Sequence, residues 1–175
     1  MLAVVFDFDD TLTVKKARKS KDYDYSTYLK PLFGSDERIL MVVRYLRKFK
    51  KTDGADLFIC SGNSPELITR VIDELHALGF DIHVSQFTAI IGNENEKAKY
   101  VNGLRYGRVV FIDNDTENYE GVRETVQTVR IAESGGMSEE DFQRINVQRE
   151  AESPATPPKR SRLTLSPTRS EFRVW

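Results

Sequence analysis

Leu2-Ala3-Val4-Val5-Phe6-Asp7-Phe8-Asp9-Asp10-Thr11-Leu12 is the stretch that decides the fold. Five apolar residues in a row, without polar alternation, are the pattern of a strand covered on both faces, as in a parallel sheet. The run then meets Asp7, Asp9 and Asp10. A buried parallel strand ending in carboxylates delivers them to the carboxyl edge of the sheet, where open α/β sheets bind their ligands.

Working outward, strand and helix signals alternate. Ser35 is placed to cap a helix with Asp36 and Glu37 in its first turn and the apolar stripe Ile39, Val42, Val43, Leu46, Phe49. Asp56-Leu57-Phe58-Ile59-Cys60 is a second strand, and Ser64-Pro65 opens a helix with Leu67, Ile68, Val71, Ile72 and Leu75 on one face, closed by Gly79. Phe80 to Val84 is read as a third, weaker strand. Asn93 and Glu96 form the spacing of a capping box for a short helix through about Leu104. Arg108 to Ile112 and Thr128 to Ala132 are the fourth and fifth strands, and Ser138 with Asp141 starts a helix toward Arg149. This order predicts an α/β fold: a Rossmann-like, mostly parallel five-stranded sheet with helices on both faces.

The chain has 175 residues, 26 Lys+Arg against 27 Asp+Glu, and a net charge of −1. From Ser153 onward five basic residues face one acid, a balance of +4, so the body up to Glu152 carries −5. Four of the six prolines fall in that tail and all ten glycines precede it. Such a composition buries too little apolar area to offset ordering entropy. The expected division is a folded domain over 1–152 and a disordered Pro/Ser/Arg-rich tail over 153–175. A near-neutral total argues against a whole-chain nucleic-acid or membrane binder. No apolar run nears the roughly 20 residues that span a bilayer, and the first residues lack a signal peptide's basic start. With Cys60 alone, neither a disulfide within the chain nor a thiolate zinc site can form. The expectation is a soluble protein of the cytoplasm or nucleus.

Three strands end in polar residues: Asp7 to Thr11, Ser61-Gly62-Asn63, and Asp113-Asn114-Asp115. Lys97, at the start of a helix, can reach the same edge. Oxygen ligands without His or Cys suit Mg²⁺, which takes one or two carboxylates, waters and a phosphate oxygen. A serine hydroxyl, a glycine backbone and a lysine suit phosphate oxygens. A carboxylate can attack phosphorus, and a second carboxylate can act as general acid and base.

These residues carry a resemblance. Val4 to Leu12 resembles motif I of the haloacid dehalogenase (HAD) superfamily, an apolar strand followed by DxDx(T/V). Phe58 to Asn63 resembles its motif II, Lys97 its motif III, and Val110 to Asp115 its motif IV. The resemblance covers roughly residues 1–150 and implies a Mg²⁺-dependent phosphatase. In it Asp7 is the nucleophile and a metal ligand. Asp9 is the general acid/base and offers its main-chain carbonyl to the metal. Asp113 is the second metal carboxylate, and Thr11, Ser61, Gly62 and Lys97 bind substrate. Two positions depart from the common pattern: Asp10, where many members have glycine, and Asn114, where motif IV often has a second aspartate. That leaves Asp113 the firmer ligand and the part of Asp115 open. Lys99 competes for the motif III role, and Lys97 is preferred because it lies nearer the helix start. Residues 13–34 and 63–96 leave no room for a large cap domain. The capless pattern, with 111–118 and Gly136-Met137, is similar to the magnesium-dependent phosphatase subfamily. An open site of this kind implies a phosphoprotein, nucleic-acid end or sugar phosphate as substrate.

The phospho-accepting receiver domain also clusters Asp, Ser/Thr and Lys, but it needs an aspartate ending the third strand, and none stands there. A second reading is an adaptor on the same scaffold. Pro154-Ala155-Thr156-Pro157-Pro158-Lys159 fits a polyproline II ligand of an SH3 domain, and Ser153-Pro154, Thr156-Pro157 and Ser166-Pro167 fit proline-directed kinase sites. The basic run at Lys15, Lys16, Arg18, Lys19 and Lys21 is read as a solvated flap, which can also draw in an anion. Tyr23, Tyr25 and Tyr28 either cover the site or pack on the domain. His76 and His83 are assigned no role, and Cys60 is read as a small buried hydrophobe.

Overall fold

The computed structural model describes residues 1–147. The boundary at 152 and the proline-rich tail lie outside the described residues. Five strands, β1 (Leu2–Phe6), β2 (Asp56–Cys60), β3 (Phe87–Ile91), β4 (Arg108–Asp113) and β5 (Val126–Arg130), form one sheet in the order β3-β2-β1-β4-β5. Every neighbouring pair is parallel. The helices are α1 (Lys30–Phe33), α2 (Asp36–Lys51), α3 (Pro65–Ala77), α4 (Lys97–Gly103) and α5 (Glu139–Val147). Among the described residues no large cap interrupts them. None of the described helices is long and apolar enough to cross a membrane.

The pleat sorts the strand residues onto two faces. Val4, Phe6, Leu57, Ile59, Val110 and Ile112 pack with α2, α3 and α5, and the Phe6 ring sits 6.2 Å from Phe49 and 6.4 Å from Phe142. Ala3, Val5, Phe58, Cys60, Val109 and Phe111 face the other way, against Val101 of α4 and Tyr119. The long apolar runs of β1 and β4 are explained by this two-sided burial.

Helix starts follow their caps. Ser35 accepts from the Arg38 N–H at 3.2 Å, and Ser64 from the Leu67 N–H at 3.3 Å with Pro65 at the first helical position. Ser138 and Asp141 cap α5 reciprocally.

Three expectations are corrected. The third strand is Phe87–Ile91 and not residues 80–84. There the Ile82 N–H turns back to the Phe80 carbonyl, and His83 caps the short turn Val84–Gln86, so no extended run can form. Asn93 does not cap α4. It takes a left-handed φ of 55° and donates its N–H to the Asn63 carbonyl, while Glu96 occupies the cap position without a side-chain bond. The fifth strand starts at Val126, two residues early, because its register is set by Val109 pairing with Val126.

The strand order locates the site. The chain runs β1, β2, β3 to one side, then crosses through α4 to β4 on the far side of β1. Ligand crevices of open sheets form at such a reversal, here between the ends of β1 and β4.

Candidate active site

Register brings two carboxylates together. Phe6 pairs with Ile112, and the Asp7 N–H continues the ladder to the Ile112 carbonyl at 2.9 Å, so Asp7 and Asp113 leave adjacent strands side by side. Lys97, in the first turn of the crossover helix, bridges them: its Nζ lies 2.8 Å from Asp7 Oδ1 and 2.8 Å from Asp113 Oδ2. All three are buried, with 4%, 0% and 7% exposure for Asp7, Asp113 and Lys97. Two acids share one base, leaving one uncompensated negative charge in low dielectric. Burial, outweighing the help of Lys97 and reinforced by Asp113, pushes the Asp7 carboxyl up to about 7. Burial opposes the charge on Lys97 too, yet its two aspartates outweigh that and raise its pKa. Lys99 stays at the surface, paired with Glu96 at 2.9 Å.

The turn Phe8–Leu12 bends the chain back over the site. Asp10 adopts φ 55°, and the Thr11 hydroxyl, fully buried, lies 3.3 Å from both Asp7 Oδ2 and Asn114 Oδ1. Asp9 accepts the Ala17 N–H at 2.8 Å on one oxygen and the Asn63 amide at 2.6 Å on the other. Burial raises its pKa, against the Ala17 bond and nearby Lys16.

Asp7, Asp9, Gly62, Lys97 and Asp113 line one cavity of about 180 Å³, with Asp10, Lys16, Asn114, Asp115 and Asn118. Thr11 and Ser61 do not line it. Ser61 follows β2, fully buried, and its Oγ accepts the Asn63 N–H at 3.2 Å. Gly92 packs under this loop, where a Cβ would stand 2.4 Å from the Asn63 carbonyl oxygen. A wider groove of about 700 Å³ lies apart from the carboxylates, between α2 and residues 135–139.

The sequence reading missed the residues that hold Asp113. Its Oδ2 accepts from Asn118 at 3.0 Å, its Oδ1 from the Asp115 N–H at 2.8 Å, and its main-chain N–H donates to the Tyr119 hydroxyl at 2.8 Å. It also missed Arg38, which reaches from α2 to the carbonyls of Leu12 (2.7 Å), Thr11 (3.2 Å) and Met137 (3.3 Å). Burial pulls this guanidinium down to about 10, still charged at neutral pH. The Met137 N–H closes the same knot onto the Thr11 carbonyl at 2.8 Å. Only the buried apolar stripe of α2 was visible beforehand, and Arg38 stands just ahead of it, next to Ile39.

The remaining candidates fall into place around this centre. Tyr25 packs at a tilt against Phe80 at 6.1 Å, and Tyr23 packs edge-on against Tyr28 at 4.8 Å, so the tyrosines pack on the domain. The His76 and His83 rings meet at 5.0 Å, away from the cavity. Burial pushes the Cys60 thiol up to about 12.

The donor set fits a hard divalent cation: two carboxylates at adjacent strand ends, carrying more negative charge than Lys97 offsets. Among the described residues no group of three or more His, Cys, Asp or Glu side chains is arranged for a metal. A cation here would therefore take two carboxylates and oxygens from main chain, water or substrate.

No family model and no curated protein sequence matches the chain. Solved structures do. The Legionella pneumophila effector Ceg4, solved with an N-terminal yeast Hog1p sequence, superposes with a TM-score of 0.54 at 18% identity, over 87% of this chain and 96% of that one. The N-terminal part of protein BF1531 from Bacteroides fragilis, which contains a phosphatase domain complexed with Mg, gives 0.51 at 13% identity, over 83% of this chain and 39% of that one. At these identities the likeness is one of fold, which in this chain is a Rossmann-like α/β sheet with no large cap among the described residues.

Proposed function

We propose that the chain is a Mg²⁺-dependent phosphomonoesterase of the HAD type, working through an aspartyl-phosphate on Asp7. The observation that carries this reading is the buried Asp7–Lys97–Asp113 triangle at the sheet's reversal point, with Asp9 on the same small cavity. Three of the four motifs meet in this triangle. An adaptor has no need of such a triangle, and the proline-rich peptide that would serve it lies outside the described residues.

In this reading Asp7 and Asp113 hold the cation, with the Asp9 carbonyl as a third oxygen. When bound, Mg²⁺ neutralises charge on the phosphoryl oxygens and on both carboxylates. Lys97 steadies Asp7 and offers a donor to a phosphoryl oxygen, as does the backbone at Gly62. A carboxylate oxygen of Asp7 attacks phosphorus. The P–O bond to the leaving group breaks, and Asp9 gives that oxygen its proton. Asp9 then takes a proton from water, the water oxygen attacks phosphorus, and the P–O bond to Asp7 breaks. Phosphate leaves and both aspartates are restored. Thr11 and Ser61 shape the loops behind the cavity.

The direct test is hydrolysis of an aryl phosphate by the purified protein. Turnover is expected with Mg²⁺ and none in excess EDTA, because two carboxylates and a phosphate dianion repel one another without a cation. Equal rates in both would overturn the metal assignment. Asp9→Asn keeps the nucleophile and removes the proton donor, so turnover should fall about 10²–10⁴-fold. With a good leaving group, phosphorylation of Asp7 should suffer less than its hydrolysis. An Asp9→Asn protein as fast as wild type would remove Asp9 from the mechanism.

A further inference from the structure

The carboxylate turn is followed by five cations within seven residues: Lys15, Lys16, Arg18, Lys19 and Lys21. All five are exposed, and none forms an ion pair with a described residue. Yet their backbone is fastened at three nearby points. The Lys15 carbonyl accepts from the Thr13 hydroxyl at 2.7 Å. Ala17, itself buried, donates to Asp9 at 2.8 Å and accepts from Asn63 at 3.3 Å. Arg18 is held on both its N–H (3.0 Å) and its carbonyl (2.5 Å) by the Tyr28 hydroxyl. Free charge on a fixed strap is an arrangement for a ligand. Lys16 extends it into the catalytic cavity.

Across the mouth the sign reverses. A groove of about 490 Å³ shares Lys97 and Asn118 with the cavity and carries Glu96, Glu117 and Glu120. Its other cation, Lys99, is already paired with Glu96. The strap hooks to Asn63 at the end of β2, whereas the acidic groove lies between the start of α4 and residues 117–121, which follow β4. A phosphorylated scaffold that continues in both directions would press one arm against carboxylates. A scaffold that ends at its phosphate and runs out over the strap would not.

Resting on the phosphatase reading, we propose that the substrate is the terminal phosphate of a single-stranded nucleic acid, whose neighbouring backbone phosphates lie along the 15–21 strap. The chain end enters the cavity and the remaining strand leaves on the β2 side. The body as a whole is negative, so the strap is a local attractor on a repelling surface.

Binding and turnover test this separately, always with the full chain. Asp7→Asn protein is titrated into labelled single-stranded 12-mers bearing a 5′-phosphate, a 3′-phosphate or neither, at several salt concentrations. The comparison protein adds Lys15→Ala, Arg18→Ala, Lys19→Ala and Lys21→Ala, leaving Lys16 in place. The strap substitutions are expected to weaken binding at least tenfold in 0.1 M salt. They should flatten the slope of log K against log salt by up to about three, at roughly 0.7 for each of four phosphates no longer neutralised. The unphosphorylated 12-mer should bind at least tenfold more weakly, and the better of the two phosphorylated ends names the substrate end. In the Asp7-containing protein the ratio of kcat/KM for that oligonucleotide to kcat/KM for an aryl phosphate should drop tenfold or more. Equal binding with and without the strap cations, equal binding of the unphosphorylated strand, or stronger turnover of a peptide phosphorylated in mid-chain would each overturn the proposal. Failure of the wild type to hydrolyse any aryl phosphate would instead refute the phosphatase reading, while the binding data still judge the strap.

Discussion

Asp7→Asn is expected to abolish turnover, on the order of 10⁶-fold, as removal of a covalent nucleophile does. Acid-quenched protein should show a phosphoryl adduct by mass in the wild type and none in the variant. The same substitution should leave the fold intact. Asp7 and Asp113 share one lysine, and the amide removes one of two buried charges competing for it. The sign with pH follows from linkage. The folded-state pKa of Asp7 is raised from 3.8 to about 7, so between those values the native state keeps a proton that the unfolded chain has lost. Stability without metal therefore falls as pH rises across that window. Asp7→Asn should flatten this slope and melt at or above the wild-type temperature at pH 8 in EDTA. A variant that is inactive and also several degrees less stable at pH 8 would mean that Asp7 is needed for folding, and its loss of activity would prove nothing. One that retains wild-type turnover would end the covalent mechanism.

Gly136→Ala is the second large effect. An added Cβ would stand 2.0 Å from the Arg38 guanidinium and 2.5 Å from the Thr13 carbonyl oxygen, at a left-handed φ of 69°. Arg38 cannot swing away without releasing the carbonyls of Thr11, Leu12 and Met137. The loss should be about 2–4 kcal/mol, a fall of roughly 5–15 °C in Tm for a chain of this size. Activity should drop with it, because the displaced carbonyls belong to the turn that carries Asp9 and Thr11. Gly135→Ala is the control: φ is 92° but nothing lies within 4 Å of the added carbon. It should cost only the backbone strain. Equal losses at 135 and 136 would assign the effect to backbone conformation and leave Arg38 without a part in it.

What could be read in advance was whatever depends on near neighbours. The strands β1, β2 and β4 are runs of apolar residues buried on two sides, and α2 and α3 announce themselves through Ser35, Ser64-Pro65 and their stripes. The edge strand was misplaced because Phe80 to Val84 and Phe87–Ile91 are both short apolar stretches. What separates them is pairing with β2 across a register shift at Leu57/Phe58, a partner some thirty residues away. The site divides in the same manner. Asp7, Asp9, Lys97 and Asp113 stand at strand or helix ends, where chemistry collects. Asn63, Asn118, Tyr119 and Arg38 act through bonds whose partners no local pattern reveals, such as Arg38 to Met137 across 99 positions.

β1 occupies the middle of the sheet, yet its two neighbours are made at very different times. Leu2 pairs with Arg108 and Ala3 with Asp56. On a ribosome adding about 5–20 residues per second, the β4 side of β1 would wait several seconds longer than the β2 side for its partner. During that interval the most apolar strand of the protein is a half-finished template, open to any other extended segment that comes within reach. Asp7 sits at its end without Lys97 or Asp113. A nascent chain halted before residue 108 should therefore hold the trigger factor or Hsp70 class of chaperone through β1, and let go once β4 has emerged.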